Sequence, residues 1–125
     1  MLELDDGQKL VEELWATAVS KVELRDSVKK SFFAVHGAGP LYYDNRRIYH
    51  RYYMRGKAVL KRAKSTHGTY TKDVSRQGIG FLSPVPLLPK ERVKLRTAAA
   101  ELSLEVTRCR RIDPGCFECG AKFAL

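Results

Sequence analysis

Apolar and polar residues follow two different periods along this 125-residue chain. Over residues 6–32, apolar side chains recur every three or four positions with charged residues between them, as on an amphipathic α-helix. The apolar positions are Leu10, Val11, Leu14, Trp15, Ala18 and Val22. Asp5 or Asp6 can cap the start of this helix. We predict an N-terminal helix whose apolar face packs on the rest of the protein; a partner-binding face is the alternative.

From about residue 56, the pattern changes to short segments of strand character that are separated by Gly, Pro and Ser turns. The candidate strands are residues 58–60, 68–72, 79–81, 102–107 and 116–123. Residues 36–45 are predicted to be a linker or loop. This strand spacing predicts a mainly β fold, a small antiparallel six-stranded β-barrel with an N-terminal α-helix. We expect a helical segment and linker over residues 1–40 and the barrel domain over residues 41–125.

The positive charge of the chain is concentrated in one segment. Lys and Arg total 23 against 14 Asp and Glu, which gives a formal net charge of +9. Residues 45–72 contain nine of the bases and no acid. Such a surface attracts anions, for example nucleic acid or phosphorylated small molecules.

Composition also predicts the cellular environment. No stretch approaches the ~20 apolar residues of a transmembrane helix, so we expect no membrane span. Acidic residues close to Met1 are unlike a secretory signal peptide. The cysteine count of three is odd, which favours a reducing compartment over a disulfide framework. We therefore expect a cytoplasmic protein.

Two groups of residues with binding chemistry lie 22 positions apart, counted from Arg51 to Asp73. They are Arg46, Arg47 and Arg51, followed by Asp73, Ser75 and Gly78. Guanidinium groups match phosphates and the two adjacent acceptors of guanine. An ionised Asp73 accepts hydrogen bonds from guanine N–H groups, Ser75 offers a hydroxyl, and Gly78 allows a close approach to the backbone. These residues are compatible with a pocket for a guanine nucleotide that carries phosphates.

The motifs Arg-x-x-x-Arg and Asp-x-Ser-x-x-Gly, in this order and at this separation, resemble those of the PilZ domain family. The similarity extends over about residues 45–125 and includes a closing Gly-x-x-Phe from Gly120 to Phe123. The resemblance implies a bacterial signalling protein, a β-barrel that binds the second messenger cyclic di-GMP. It also implies a receptor or adaptor without catalytic activity, which changes conformation and signals to a downstream effector protein.

The resemblance further implies roles for the residues of both motifs. The three arginines would clamp guanine edges and phosphates, with Arg46 favouring a stacked pair of ligands, and the Asp73 motif would form the opposite wall. The arginine register has an alternative, because Arg51 and Arg55 show the same spacing. We prefer Arg47 and Arg51, since Arg46 then completes the doubled arginine that is frequent in the family. We expect residues 45–53 to become ordered when the ligand binds.

A second class of function is a small basic β-barrel that binds single-stranded nucleic acid. Aromatic side chains among Lys and Arg form base-stacking platforms in such proteins. The tyrosines in or near the basic segment are Tyr42, Tyr43, Tyr49, Tyr52, Tyr53 and Tyr70. A groove that tracks phosphates does not require the Asp73 motif, which therefore favours the nucleotide receptor.

No residue pattern indicates an enzyme or a metal site. The sequence has no paired carboxylates placed for hydrolysis and no phosphate-binding glycine loop, and its histidines are scattered. Cys109, Cys116 and Cys119 are one ligand short of a structural zinc site. Cys116 and Cys119 are three apart on a predicted strand, so they should point to opposite faces as buried thiols. We expect no catalytic residue, no metal and no cofactor.

Overall fold

The computed structural model describes residues 4–43 and 48–124, which form two helices and nine strands. The helices are α1 (Leu4–Ala16) and α2 (Asp26–Ala34). The strands are β1 (Ser20–Lys21), β2 (Gly37–Tyr43), β3 (Ile48–Tyr53), β4 (Lys57–Arg62), β5 (Ser65–Val74), β6 (Gly78–Ser83), β7 (Arg92–Arg96), β8 (Glu101–Asp113) and β9 (Cys116–Phe123).

Six of the described strands close into an antiparallel β-barrel. Around the ring the order is β5, β4, β7, β8, β9 and β6, and β6 pairs again with β5. The hairpin of β2 and β3 extends the sheet beyond β5, with Tyr53 of β3 opposite Asp73 of β5. The predicted mainly β fold, a six-stranded barrel with an N-terminal helix, is confirmed.

The barrel interior is filled by apolar residues from alternate strand positions, because successive side chains of a strand point to opposite faces. On β8, Leu104 and Val106 are buried whereas Ser103 is exposed. Thr107 is exposed as well, so the alternation predicted for residues 102–107 is confirmed. The buried core consists of Ala58, Leu60, Ile79, Phe81, Leu87, Val93, Leu95, Leu104, Val106, Cys119 and Ala121.

The predicted single helix over residues 6–32 is wrong, because a short strand separates α1 from α2. Strand β1 pairs in parallel with β5. The backbone N–H groups of Val19 and Val22 donate to carbonyls of β5 at 2.9 and 2.8 Å. Residues 17–22 contain three β-branched side chains, which favour this extended pairing over a helix. Val22 is buried as expected, but from an extended segment.

The linker predicted over residues 36–45 is also wrong, since residues 37–43 form β2. Strand β3 likewise begins before the first predicted strand, so Arg51 lies within a strand. Both strands are rich in aromatic and branched residues, which favour a pleated, paired conformation. Pro40 is tolerated because β2 lies at an edge of the described sheet. The domain division between residues 40 and 41 stays a prediction.

Both helices pack on the outer face of the barrel through four aromatic rings. This aromatic cluster consists of Trp15, Phe32, Phe33 and Tyr70. The Trp15 indole lies on Gly68, where a Cβ would be 2.7 Å from the ring, and its Nε1 donates to the Thr69 carbonyl at 3.0 Å. The predicted packing of the N-terminal apolar face is thus confirmed. Within the described ranges, no helix is long and apolar enough to cross a membrane.

Candidate functional site

A cleft of about 240 Å³ lies on the outer face of the barrel, where β3, β5, β6, β9 and β8 follow one another. It is lined by Arg51, Asp73, Ser75, Gln77, Gly78, Ile79, Gly80, Thr107, Arg108, Gly120, Ala121 and Lys122. Four of the six predicted site residues are brought together here, namely Arg51, Asp73, Ser75 and Gly78. The other two, Arg46 and Arg47, lie outside the described residues.

The base of the cleft is made of backbone, because three glycines of β6 and β9 face it. This glycine floor consists of Gly78, Gly80 and Gly120; Gly80 and Gly120 are directly opposite each other. A Cβ at Gly78 would collide with the carbonyl group of Ala121, so the close approach of β6 and β9 requires glycine there. The absence of Cβ atoms at Gly80 and Gly120 leaves room for the side chains of Asp73 and Arg108, which lie over these two glycines.

Two β-bulges turn charged side chains toward this floor. In β5 the register shifts between Thr71 and Asp73, so Asp73 pairs with Gly80 on the outer face rather than pointing inward like Thr71. In β8 the register shifts after Val106, and Arg108 pairs with Gly120. Each bulge inserts one residue and thereby moves the next one to the other face. The cleft thus gains a carboxylate on one side and a guanidinium on the other.

Arg51 and Asp73 form an ion pair at one wall of the cleft. Arg51 Nη1 lies 3.5 Å from Asp73 Oδ2, and the two side chains are 42% and 12% exposed. Gly80 makes room for the carboxylate, since a Cβ there would be 2.6 Å from Asp73 Oδ1. At 3.5 Å the contact is longer than a good N–H···O hydrogen bond, so a ligand group can compete for either partner. This wall offers an anion-binding guanidinium beside an acceptor for N–H groups.

Ser75 shapes the turn between β5 and β6. Its backbone N–H donates to the Gly78 carbonyl at 2.9 Å, and its Oγ accepts from the Gln77 N–H at 3.3 Å. The turn is therefore held by backbone and side chain together. Ser75 also lines the cleft, and its hydroxyl oxygen already accepts one hydrogen bond within the turn.

Arg55 occupies a different environment from Arg51. Its Nη1 donates to the Phe32 carbonyl at 2.9 Å in α2, and its guanidinium carbon lies 4.3 Å from the centre of the Phe32 ring. A second ring, that of Tyr53, is 5.1 Å away. Arg55 thus fastens α2 to the barrel, while Arg51 lines the cleft.

The opposite wall of the cleft carries further positive charge. Lys122 pairs with Glu105 at 3.1 Å, and Arg108 lies across Gly120, with Nε 2.9 Å from the position of a Cβ. Burial alone would raise the pKa of nearby Glu118, but the hydrogen bond from Lys72 and the surrounding charges outweigh it and lower the pKa. Glu118 is therefore ionised and forms ion pairs with Lys72 and Arg110.

A family model of the PilZ domain matches residues 45–125, which include every residue that lines the cleft. The chain belongs to the PilZ domain family. PilZ domains are non-catalytic receptors for cyclic di-GMP, so the nucleotide-receptor class follows from the family. The comparison with curated proteins gave no match.

Several residues of this PilZ cleft are not part of the predicted motifs. They are Gly80, Thr107 and Arg108, whereas Gly120 and Lys122 lie within the closing Gly-x-x-Phe. Gly80 could have been found, because it follows Gly78 at the next position on the same face of a strand. Arg108 could not, since a regular β8 would point it into the barrel and the bulge has no sequence signal in this chain.

The thiols of this PilZ domain lie on two faces of the barrel wall, as predicted. Cys119 is part of the interior core, whereas Cys116 packs outside with Val22 and Tyr70. Burial raises the pKa of Cys116 to about 11. In the parts of the chain that the structure describes, no three or more His, Cys, Asp and Glu side chains are grouped to hold a metal.

Of the tyrosines considered as a base-stacking platform, Tyr70 is buried in the aromatic cluster. It is therefore not available to a nucleic-acid base. Tyr52 is exposed and Tyr53 half-buried beside Arg55. The nucleic-acid alternative gains no support from the family either, because the matched family is one of nucleotide receptors.

Proposed function

We propose that this PilZ domain binds cyclic di-GMP in the cleft through Arg46, Arg47, Arg51, Asp73, Ser75 and Gly78, and that it acts without catalysis. The observation that carries the proposal is the Arg51–Asp73 pair above the glycine floor. A guanidinium and a carboxylate side by side can serve an anionic guanine nucleotide with donors and an acceptor at once.

Each wall of the cleft has a distinct part in this proposal. The arginines contact phosphates and the acceptor edge of guanine, and Asp73 accepts from the guanine N–H groups. Arg108, lying flat on Gly120, offers its other face for stacking on a second base. Arg46 adds a further stacking surface, and we therefore propose two stacked ligands per chain.

The ligand signal leaves the cleft through β3 in this proposal. Arg51 lies in β3, and only four residues later Arg55 holds the Phe32 carbonyl of α2. A shift of β3 on ligand binding therefore changes the position of α2 on the barrel. An effector protein in the cytoplasm then binds the altered surface. Hydrogen exchange tests this step: the ligand should slow exchange in β3 and α2 together. Slowing confined to residues 73–78 would contradict it.

Titration calorimetry with cyclic di-GMP tests the binding proposal. We expect saturable binding with two ligands per chain; one ligand per chain would reject the stacked pair, and no binding would reject the site. A thermal shift distinguishes the nucleic-acid alternative. A ligand that binds only the folded chain raises the melting temperature by mass action. Cyclic di-GMP should do so, and a single-stranded oligonucleotide of equal charge should not.

A further inference from the structure

Two cysteines of neighbouring strands meet just behind the cleft wall. Cys109 of β8 and Cys119 of β9 are directly opposite each other in the antiparallel ladder. Their sulfur atoms are 3.3 Å apart. They are also the chain neighbours of Arg108 and Gly120, which pair with each other at the cleft.

The same bulge that turns Arg108 outward brings this thiol pair together. After the register shift in β8, Cys109 points to the barrel interior, where it packs against the core beside Cys119. Directly opposed residues of an antiparallel pair have Cα atoms about 4.5–5.5 Å apart, which is within the range that a disulfide spans. Bringing the sulfurs to the usual bond length of about 2.05 Å requires a movement of only about 1.3 Å.

The two thiols differ in access and in hydrogen bonding. Cys109 is half-buried, whereas Cys119 is fully buried. Cys109 Sγ accepts hydrogen bonds from the Leu87 backbone N–H at 3.4 Å and from Cys119. Burial and this hydrogen bond raise the pKa of Cys119 well above its usual range. Cys109 is thus the more exposed residue of the pair, and Cys119 keeps its proton beside it.

We propose that Cys109 and Cys119 form a redox-active dithiol that a hydroperoxide closes to a reversible intramolecular disulfide, and that this closure alters the cleft. The Cys109 thiolate attacks one peroxide oxygen and breaks the O–O bond, which gives a sulfenic acid and an alcohol or water. The Cys119 sulfur then displaces hydroxide from the sulfenic sulfur, and the Cys119 proton leaves with it as water. Two thiols are oxidised and one peroxide is reduced.

Intact-mass spectrometry after hydrogen peroxide treatment tests the chemistry. We expect the loss of two hydrogen atoms per chain, a cross-link between the peptides of Cys109 and Cys119, and reversal by a thiol reductant. Cys109→Ser should abolish the cross-link. Cys116→Ser is the matched control, because Cys116 is a buried thiol of the same hairpin on the other face, and it should leave the cross-link intact.

Several results would overturn the proposal. They are oxygen addition at Cys109 without a cross-link, a disulfide between two chains, or no reaction at a peroxide dose that oxidises a free thiol peptide. The link to the cleft has its own measurement, calorimetry of the oxidised and reduced chain with cyclic di-GMP. We expect the affinity to fall at least severalfold on oxidation and to return on reduction. Equal affinity would overturn the link, whereas absence of binding in both forms would instead reject the proposed ligand.

Discussion

The strands β5, β6 and β9 present two very different surfaces on the outer face of the barrel. At one end, Tyr70, Leu82 and Cys116 are buried beneath the helices and their aromatic rings. At the other end, the same three strands carry Asp73 and the glycine floor. The helices cover the apolar end of this wall. The end that carries glycines and charged side chains remains open as the cleft.

Two arginines four residues apart illustrate this division. Arg51 faces the cleft and pairs with Asp73, whereas Arg55 lies on the Phe32 ring and holds α2. The sequence presents them as interchangeable members of one spaced motif. Spacing thus gives candidates, and the neighbouring element decides which arginine faces the cleft and which holds α2.

The largest effect should come from Arg51→Ala. We expect it to weaken cyclic di-GMP binding by about 2–4 kcal/mol, roughly 30- to 900-fold, because a half-buried charged partner is lost and Asp73 is left unpaired. Calorimetry measures the change. Arg55→Ala is the matched control and should keep affinity within about threefold. Equal losses of cyclic di-GMP affinity in the two variants would contradict the distinction between the cleft and the helix-covered end of the wall.

Alanine substitutions of one glycine in each region should also differ in their effect on cyclic di-GMP affinity. Gly78→Ala places a methyl group against the Ala121 carbonyl group and should cost about 1–3 kcal/mol of folding free energy, together with cyclic di-GMP affinity. Gly68→Ala displaces the Trp15 ring and should lower stability while affinity is kept. Denaturant unfolding and calorimetry on both variants check this. A Gly68→Ala protein that binds as poorly as Gly78→Ala would contradict it.

Arg108→Ala tests the contribution of the second cleft wall to ligand binding. We expect a loss of about 1–2 kcal/mol in binding and a drop from two ligands to one, because the stacking surface on Gly120 disappears. Arg110→Ala is the control, since Arg110 is the next outward residue of β8 and pairs with Glu118 at 3.1 Å. If Arg108→Ala still bound two ligands per chain, the binding site would be limited to the wall that carries Arg51.

Arg55→Ala should show its own effect in stability. Losing the charged hydrogen bond to Phe32 and the ring contact should cost about 1–2 kcal/mol of folding free energy. Chemical denaturation measures it, and hydrogen exchange should become faster in α2 but not in the strands around the cleft. Unaltered exchange in α2 would argue against Arg55 as its fastening.

The smallest expected effect is a pH dependence of folding stability. It involves the helix-covered side of the barrel and not the cleft. His67 lies between Ser20 and Ser65, with its ring nitrogens 2.7 and 2.9 Å from the two hydroxyls. Burial, followed by the charge of Arg62, lowers the pKa of His67 below its usual 6.5. The unfolded chain therefore binds the proton more readily, and stability present above pH 6.5 is lost as the pH falls below it. Urea titrations of the wild type and His67→Gln should diverge there; parallel curves would refute the assignment.

The sequence predicted the barrel because its apolar alternation and turn residues are local signals. Leu104 and Val106 lie inside as their spacing requires. Arg51 and Asp73 both line the cleft, but they pair at one wall, whereas the resemblance implied opposite walls. The helix over residues 6–32 failed because pairing of β1 with β5 is a long-range contact that helical periodicity does not report. Of the six apolar positions assigned to this helix, two are buried and four are half-buried, and α1 carries only those up to Trp15.

The far wall of the cleft was beyond sequence reasoning for a different reason. Whether Arg108 points outward depends on one inserted residue in the β8–β9 ladder, and a shift of one residue reverses every later side chain. Thr107 fixes this shift with a hydrogen bond from its Oγ1 to the Gly120 carbonyl at 3.0 Å. Such a choice depends on the partner strand, which local composition does not specify.

Closure of the ring also bears on aggregation. Closure of the barrel removes the two edges that an open six-stranded sheet would expose, and β2 lies at the end of the strand order in the described sheet. There the pairing with β3 shifts between Ala38 and Leu41, and Pro40 supplies no N–H. Strand addition by a second chain would meet a gap in the middle of β2. The irregular strand that resembled a linker thus protects the β2 edge of the described sheet against intermolecular pairing.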